Sequence, residues 1–236
     1  MTTANQRTEL LIGSDAVQQL AASSVMILGL GGVGSFAAEA IVRAGIGRVV
    51  LVDFDRVAES NLNRQLPALH STLGRLKTEV MAERARDINP TCEIISFPER
   101  YEPASSEIIL QLPIDCVIDA IDSLPDKIHL LTTCYQRNIP IVSSMGMANR
   151  LDADCIVTAD ISKTSGCPLS RKVRQALRRE GIMNGIPVVF SSESPQNYSH
   201  TLAKLGSIAY IPSIAGLKLA ALAIQQILNL KAPPQV

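Results

Sequence analysis

At 236 residues, with 47% hydrophobic and 19% charged side chains, the chain can build a large core and has the composition of an ordinary soluble protein. Its 22 basic and 22 acidic residues cancel, so bulk electrostatics neither demands nor excludes a nucleic-acid partner. The cysteines, at 92, 116, 134, 155 and 167, are odd in number and never spaced C-x-x-C, which argues against a disulfide framework and a four-thiolate zinc site; reduced thiols, and a start "MTTANQRTELL" without an apolar signal core, predict a cytoplasmic protein.

The first expected strand is "SVMILGL", 24–30. At its end Gly29, Gly31 and Gly34 satisfy G-x-G-x-x-G, with Gly32 additional, and a helix is expected over 34–43. Glycines there permit a tight turn and let backbone amides approach phosphate at a helix N-terminus. A second strand over 48–54 carries Asp53, placed to accept hydrogen bonds from ribose hydroxyls. The turn and the acid fit a dinucleotide and ATP equally. Asp55, "SNLNRQ" (60–65) with Asn61, Asn63 and Arg64, and Lys77 on a helix expected over 73–88 favour ATP. Two cations and side-chain amides can neutralise a triphosphate and its departing pyrophosphate, whereas a nicotinamide site has no common use for them. Read alone, Arg64 fits a solvated loop cation as well.

A third strand is expected over 92–97 and a fourth over 115–121, running into "DAIDS" (119–123). A carboxylate at the carboxyl end of a central strand, beside a triphosphate, suits magnesium, which takes one or two carboxylates with phosphate and water oxygens. Asp122 is the first choice and Asp119 the second; helix capping is the alternative for each. A helix over 126–136 and a fifth strand over 139–144 complete an alternation that predicts an α/β fold with a Rossmann-like, doubly wound, mainly parallel sheet.

After residue 147 the expected elements are strands over 155–161, 186–192 and 206–213 and helices over 168–180 and 211–230, a C-terminal α/β extension ending in a final helix. The domain is expected to span 1–230 with a tail at 231–236. Arg171, Lys172, Arg174, Arg178 and Arg179 occupy about 160° of a helical wheel, either a solvated face or a contact for nucleic-acid phosphates. The run 211–230 holds one charge, Lys218, and approaches membrane-spanning length. A buried or dimer-facing helix with Ser213 as N-cap is the preferred reading, and membrane-surface contact stays open. Cys116 is expected in the core. Cys167 fits either a small loop residue or an acyl-accepting thiol, and His70, His129 and His200 share no metal spacing.

The combination of Gly29 to Gly34, Asp53-Phe54-Asp55, 60–65, Lys77 and Asp122 resembles the ubiquitin-activating-enzyme-like superfamily of ATP-dependent adenylyltransferases. "VIDAIDS", "DISKTSGCPLSRKVRQALRREGI", "VVFSSESPQ" and "GSIAYIPSIAGLKLA" are similar to one branch of it, the tRNA threonylcarbamoyladenosine dehydratases. The resemblance implies ATP and Mg2+, with Gly29, Gly31, Gly32, Gly34, Asp53, Asp55, Asn61, Asn63, Arg64, Lys77 and Ser123 around the nucleotide, Asp122 on the metal, and Arg64, Lys77 and Asp122 as catalytic residues. It also implies a homodimer in which Arg7, in "RTELLIG", reaches the neighbouring protomer's nucleotide as a fourth catalytic residue. Further implied partners are tRNA bearing threonylcarbamoyladenosine next to the anticodon and a sulfur acceptor of a cysteine-desulfurase system; a potassium or sodium ion near 191–193 is left open. The implied reaction is adenylation of the threonyl carboxylate followed by ring closure. The alternative is activation of a ubiquitin-like sulfur carrier, whose enzymes typically hold zinc between two C-x-x-C pairs absent here. The chain departs from the dehydratase branch at Cys167, where many members carry an acidic residue.

Overall fold

The computed structural model describes residues 4–196 and 205–230; the expected tail and His200 lie outside them. Apolar runs become strands β1 (Ser24–Leu28), β2 (Arg48–Val52), β3 (Glu93–Phe97), β4 (Cys116–Asp119), β5 (Ile141–Ser144), β6 (Ile156–Asp160) and β7 (Pro187–Ser191). They form one sheet in the order β3-β2-β1-β4-β5-β7-β6. Every neighbouring pair is parallel except β6 with β7. Leu28 is in register with Val52 on one side and Asp119 on the other, so three central strands end level. Strand order reverses between β1 and β4, which makes their carboxyl ends the place where an open α/β sheet binds ligands.

The helices are α1 (Gln6–Ile12), α2 (Ser14–Ala22), α3 (Gly34–Arg43), α4 (Lys77–Ile88), α5 (Ser106–Ile109), α6 (Leu124–Gln136), α7 (Pro168–Arg179) and α8 (Tyr210–Ile227). Two apolar layers cover the sheet. Val25 and Ile27 of β1 pack with α3, α4 and α8 on one face, and Met26 and Leu28 pack with α6 and α7 on the other. Both sides are buried, which is why the strands read as continuous apolar runs. Cys116 lies in this core as expected.

Helix α4 begins at Lys77 rather than at 73, because Leu76 is held in an extended bridge with Arg56. The expected strand over 206–213 does not form. Helix α8 starts at Tyr210 and extends through that run, and Ser213 lies inside the helix, its hydroxyl donating to the Ala209 carbonyl, rather than capping it. An apolar stretch without alternation fits a buried helix as well as a strand. Here Ile211, Ala215, Leu219, Ala223 and Ile227, four apart, are all buried. Helix α8 is long and apolar enough to cross a membrane, and 44% of that span is buried inside the protein.

Gly216 lets α8 rest directly on α3: a Cβ there would lie 2.2 Å from the Val33 carbonyl oxygen and 3.0 Å from the Ala37 amide nitrogen. Gly216→Val therefore forces the two helices apart and is expected to lower unfolding free energy by about 1–3 kcal/mol in urea denaturation. Leu217→Ala, at a position 49% exposed, should change it by less than about 0.5 kcal/mol.

Candidate active site

The turn after β1 is packed to the limit. Gly29 has φ 87°, its amide donates to the Val52 carbonyl, and a Cβ there would meet the Ala120 carbonyl oxygen at 2.7 Å. A Cβ on Gly34 would sit 1.7 Å from the Gly29 carbonyl oxygen. Gly31 instead faces open space, with the Gln65 side chain its nearest neighbour at 3.8 Å from an added Cβ. So Gly29 and Gly34 allow the turn to close onto β4, while Gly31 keeps a cradle clear at the N-terminus of α3. That positive dipole end and its amides suit phosphate. The Gln65 side-chain oxygen, buried beside this cradle, has no hydrogen-bond partner among the described residues.

Asp53 follows β2 and is buried. One carboxylate oxygen accepts from the Leu30 amide at 2.5 Å, the other from the Asp55 amide at 2.8 Å, which ties the glycine turn to the end of β2. Burial holds its pKa above the ordinary carboxylate range, against the opposing pull of Lys77 and the two amides. Lys77, first residue of α4, is buried and its Nζ donates to Asp55 at 2.7 Å. Half-buried Arg64 donates to the Ser60 carbonyl and the Asn63 side-chain oxygen, both at 2.8 Å. Its stem passes Gly32, where an added Cβ would lie 3.4 Å from Arg64 Cγ and 3.1 Å from Pro212. Asn61 caps its own 3-10 turn by accepting from the Ala58 amide, and Asn63 donates to the Ser207 carbonyl at 3.1 Å. Glycine turn, Asp53, Asp55, the 60–65 loop, Lys77 and the start of α8 thus meet at one edge.

The third wall is the turn from β4 into α6. Asp119, the second magnesium choice, is unavailable to a metal: it is fully buried, accepts from Lys127 Nζ and from the Ser143 hydroxyl at 2.6 Å each, and its other oxygen accepts from the Ile121 amide at 3.0 Å. Lys127 is itself 0% exposed. Sequence reasoning missed it, although a lysine eight residues after an aspartate in an otherwise apolar strand–helix unit was a usable signal. The clamp fixes the turn that presents Asp122 to solvent and Ser123, the N-cap position of α6, at the carboxyl end of β4. No cluster of three or more acidic, His or Cys residues occurs among the described residues, so a magnesium ion here would need Asp122 together with oxygens of a phosphate ligand and water.

Arg7 is not at this edge. It lies exposed on α1, and Asn5, two residues before it, abuts Gly45 beyond the far end of α3. On α7, Arg171, Lys172, Arg178 and Arg179 are exposed, but Arg174 folds back to donate to the Thr164 carbonyl and hydroxyl, so four of the five cations face outward. Cys167 is a buried N-cap of α7 whose sulfur accepts from the Ser170 amide at 3.5 Å, rather than a presented thiol. An open hollow of about 480 Å³ lies at the opposite, amino ends of the strands. Its polar groups are already paired, Arg48 with Glu93 at 2.6 Å and the Ser24 hydroxyl with Asp115 at 3.0 Å.

Residues 4–236 match the ThiF family model. The chain is 45% identical over 226 residues to a tRNA threonylcarbamoyladenosine dehydratase of Bacillus subtilis, covering 89% of each chain. It is 38% identical over 194 residues to the Escherichia coli enzyme of the same name, covering 79% of this chain and 72% of that one. A crystal structure of the E. coli dehydratase in complex with ATP superposes with a TM-score of 0.88 at 33% identity, over 94% of this chain and 93% of that chain.

Removing the cation of the β4 clamp while leaving its acid buried should be severe. Lys127→Met is expected to cost about 3–5 kcal/mol in urea denaturation, and combining it with Asp119→Asn should recover part of that loss.

Proposed function

Because this chain belongs to the ThiF family, we propose that it is an ATP-dependent dehydratase that cyclises N6-threonylcarbamoyladenosine next to the anticodon of tRNA. The observation that carries this reading is the likeness, over almost the whole chain, to a dehydratase solved with ATP. The convergence of the glycine turn, Asp53, Arg64, Lys77 and Asp122 on one edge supports it. The sulfur-carrier alternative has less support, since the sequence lacks any C-x-x-C pair.

In this reading the phosphates lie over the Gly31–Gly32 cradle and the ribose hydroxyls donate to Asp53. Lys77 exchanges part of its pairing with Asp55 for phosphate oxygens, and Arg64 swings its guanidinium from Ser60 and Asn63 toward the pyrophosphate. Asp122 would hold Mg2+, which would supply charge neutralisation to the phosphates, with Ser123 beside the nucleotide. The threonyl carboxylate oxygen attacks the α-phosphorus as the bond to pyrophosphate breaks. A nitrogen or oxygen of the carbamoyl group then attacks the activated carbonyl, and AMP leaves with the former carboxylate oxygen. The net change in the nucleoside is the loss of one water. No covalent enzyme nucleophile is required, because ring closure is intramolecular and positioning supplies a large effective molarity.

The proposal extends to a cytoplasmic homodimer built from the unit at 1–230. Leu10 and Leu11 of α1 are 82% and 84% exposed, an apolar pair suited to a second copy, which would bring Arg7 to the neighbour's nucleotide. The exposed cations of α7 suit tRNA phosphates. Glu193 is spent on the amides of Leu151 and Asp152, so an alkali ion at 191–193 forms no part of the proposal, nor do membrane contact and the sulfur acceptor.

Incubation with ATP, Mg2+ and tRNA bearing threonylcarbamoyladenosine, followed by gentle digestion and mass analysis, should show ATP-dependent loss of one water, with Lys77→Ala reducing the rate by at least about a hundredfold. An unchanged nucleoside from protein that binds ATP would overturn the reading. The raised pKa of Asp53 adds a pH test. Ribose hydroxyls favour the carboxylate, so ATP affinity should fall as pH drops through that raised value, above the ordinary carboxylate range, and Asp53→Asn should remove this slope in titration calorimetry. In the free protein the sign is opposite: holding Asp53 charged costs stability at neutral pH, and protonation relieves that cost.

A further inference from the structure

Arg150 is the outstanding charge in the molecule that the nucleotide site does not use. It is 3% exposed, and its Nε and Nη1 have no hydrogen-bond partner among the described residues. Its guanidinium takes part in none of the ion pairs found among them. Burying a guanidinium without an anion is strongly unfavourable, so a fold that keeps one has a use for it outside its own contacts.

The surrounding backbone fixes where that use lies. Five residues past β5, Asn149 adopts a left-handed conformation, φ 57°, which turns Arg150 inward while Leu151 stays exposed. The Asn149 amide donates to the Gly206 carbonyl at 2.9 Å, and its side-chain oxygen accepts from the Gly206 amide at 2.6 Å. The Tyr210 hydroxyl donates to the Leu151 carbonyl at 2.9 Å. The next residue after Gly206, Ser207, is the one that accepts from Asn63 of the Arg64 loop. Residues 149–151, 206–210 and 60–65 are therefore stitched together along the same edge of the sheet, with Arg150 on the β5 side and the phosphate-binding residues on the β1 and β2 side.

We propose that Arg150 binds the carboxylate of the threonylcarbamoyl group before it is adenylated, an assignment that rests on the dehydratase reading above. A carboxylate approaching a triphosphate needs its charge offset, and a planar guanidinium can do so through two parallel hydrogen bonds. Burial chooses among anions. A guanidinium this enclosed is out of reach of a bulky sugar–phosphate backbone but accessible to a slender carboxylate side group, and the ATP phosphates already have Arg64, Lys77 and the glycine turn.

The test is equilibrium binding, without ATP, of tRNA with and without the threonylcarbamoyl group to the wild-type protein, Arg150→Met and Arg150→Lys. Wild type should prefer the modified tRNA, and Arg150→Met should lose about tenfold to a hundredfold in affinity for it alone. Arg150→Lys should fall between them. ATP affinity should not change, and the Tm of Arg150→Met should hold or rise, since an unpaired buried charge has been removed. Equal weakening of both tRNAs would place Arg150 on a backbone phosphate, weakened ATP binding would place it on the nucleotide, and a lower Tm with all binding intact would make it structural. Each of these overturns the assignment. Should wild type convert the modified nucleoside while its preference is independent of Arg150, this inference alone fails. No conversion by wild type would remove the functional reading as well.

Discussion

Two atoms of side chain that are missing set the geometry of the active edge. Neither Gly29 nor Gly34 can carry a Cβ, because the Ala120 carbonyl and the Gly29 carbonyl occupy those positions. Their absence allows the turn after β1 to lie against the turn after β4 and to lead straight into α3. Because β1, β2 and β4 end in register, this one close approach aligns the phosphate cradle with Asp53 on one side and with the Asp122 turn on the other. The same economy recurs at Gly216, where α8 meets the start of α3 and brings Pro212 up behind Gly32. A nucleotide site made of backbone amides needs this tightness, since amides cannot reach out as side chains do.

Around that frame the protein places charge in three different states. Lys127 and Asp119 are fully buried and mutually satisfied, an arrangement that specifies a turn rather than binding anything. Lys77 is buried but paired to an Asp55 that is half exposed, so its partner is replaceable by an incoming phosphate. Arg150 is buried, its Nε and Nη1 without a hydrogen-bond partner among the described residues. In the proposed reading, this sequence of commitments, from closed to exchangeable to open, runs from scaffold to nucleotide to substrate. Stability lost at the open positions is the usual cost of a preorganised site.

Much of this was readable before any coordinates. The five parallel strands, the order of helices between them and the glycine turn follow from motifs whose residues are local in sequence; Asp53, Arg64, Lys77 and Asp122 stand out by the same motifs, but only the fold brings them to one edge. The failures have two causes. The run at 206–213 and the capping role given to Ser213 went wrong because an apolar stretch of that length has no period to distinguish strand from helix. Arg174 was counted on an outward face by angle alone, whereas Thr164, ten residues earlier, holds it. Asp119 looked like a metal ligand until Lys127 was placed beside it.

The sequence by itself determined what is encoded at short range: alternating strand and helix, a turn that only glycine can make, and which residue types accompany it. Tertiary structure decided which charges are paired. Lys127 finds Asp119 across a strand–helix junction, Asn63 finds Ser207 over 144 residues, and Arg150 Nε and Nη1 find no hydrogen-bond partner among the described residues. Those outcomes depend on packing and on how fully water is excluded at each point, and neither quantity is carried by the order of residues along the chain.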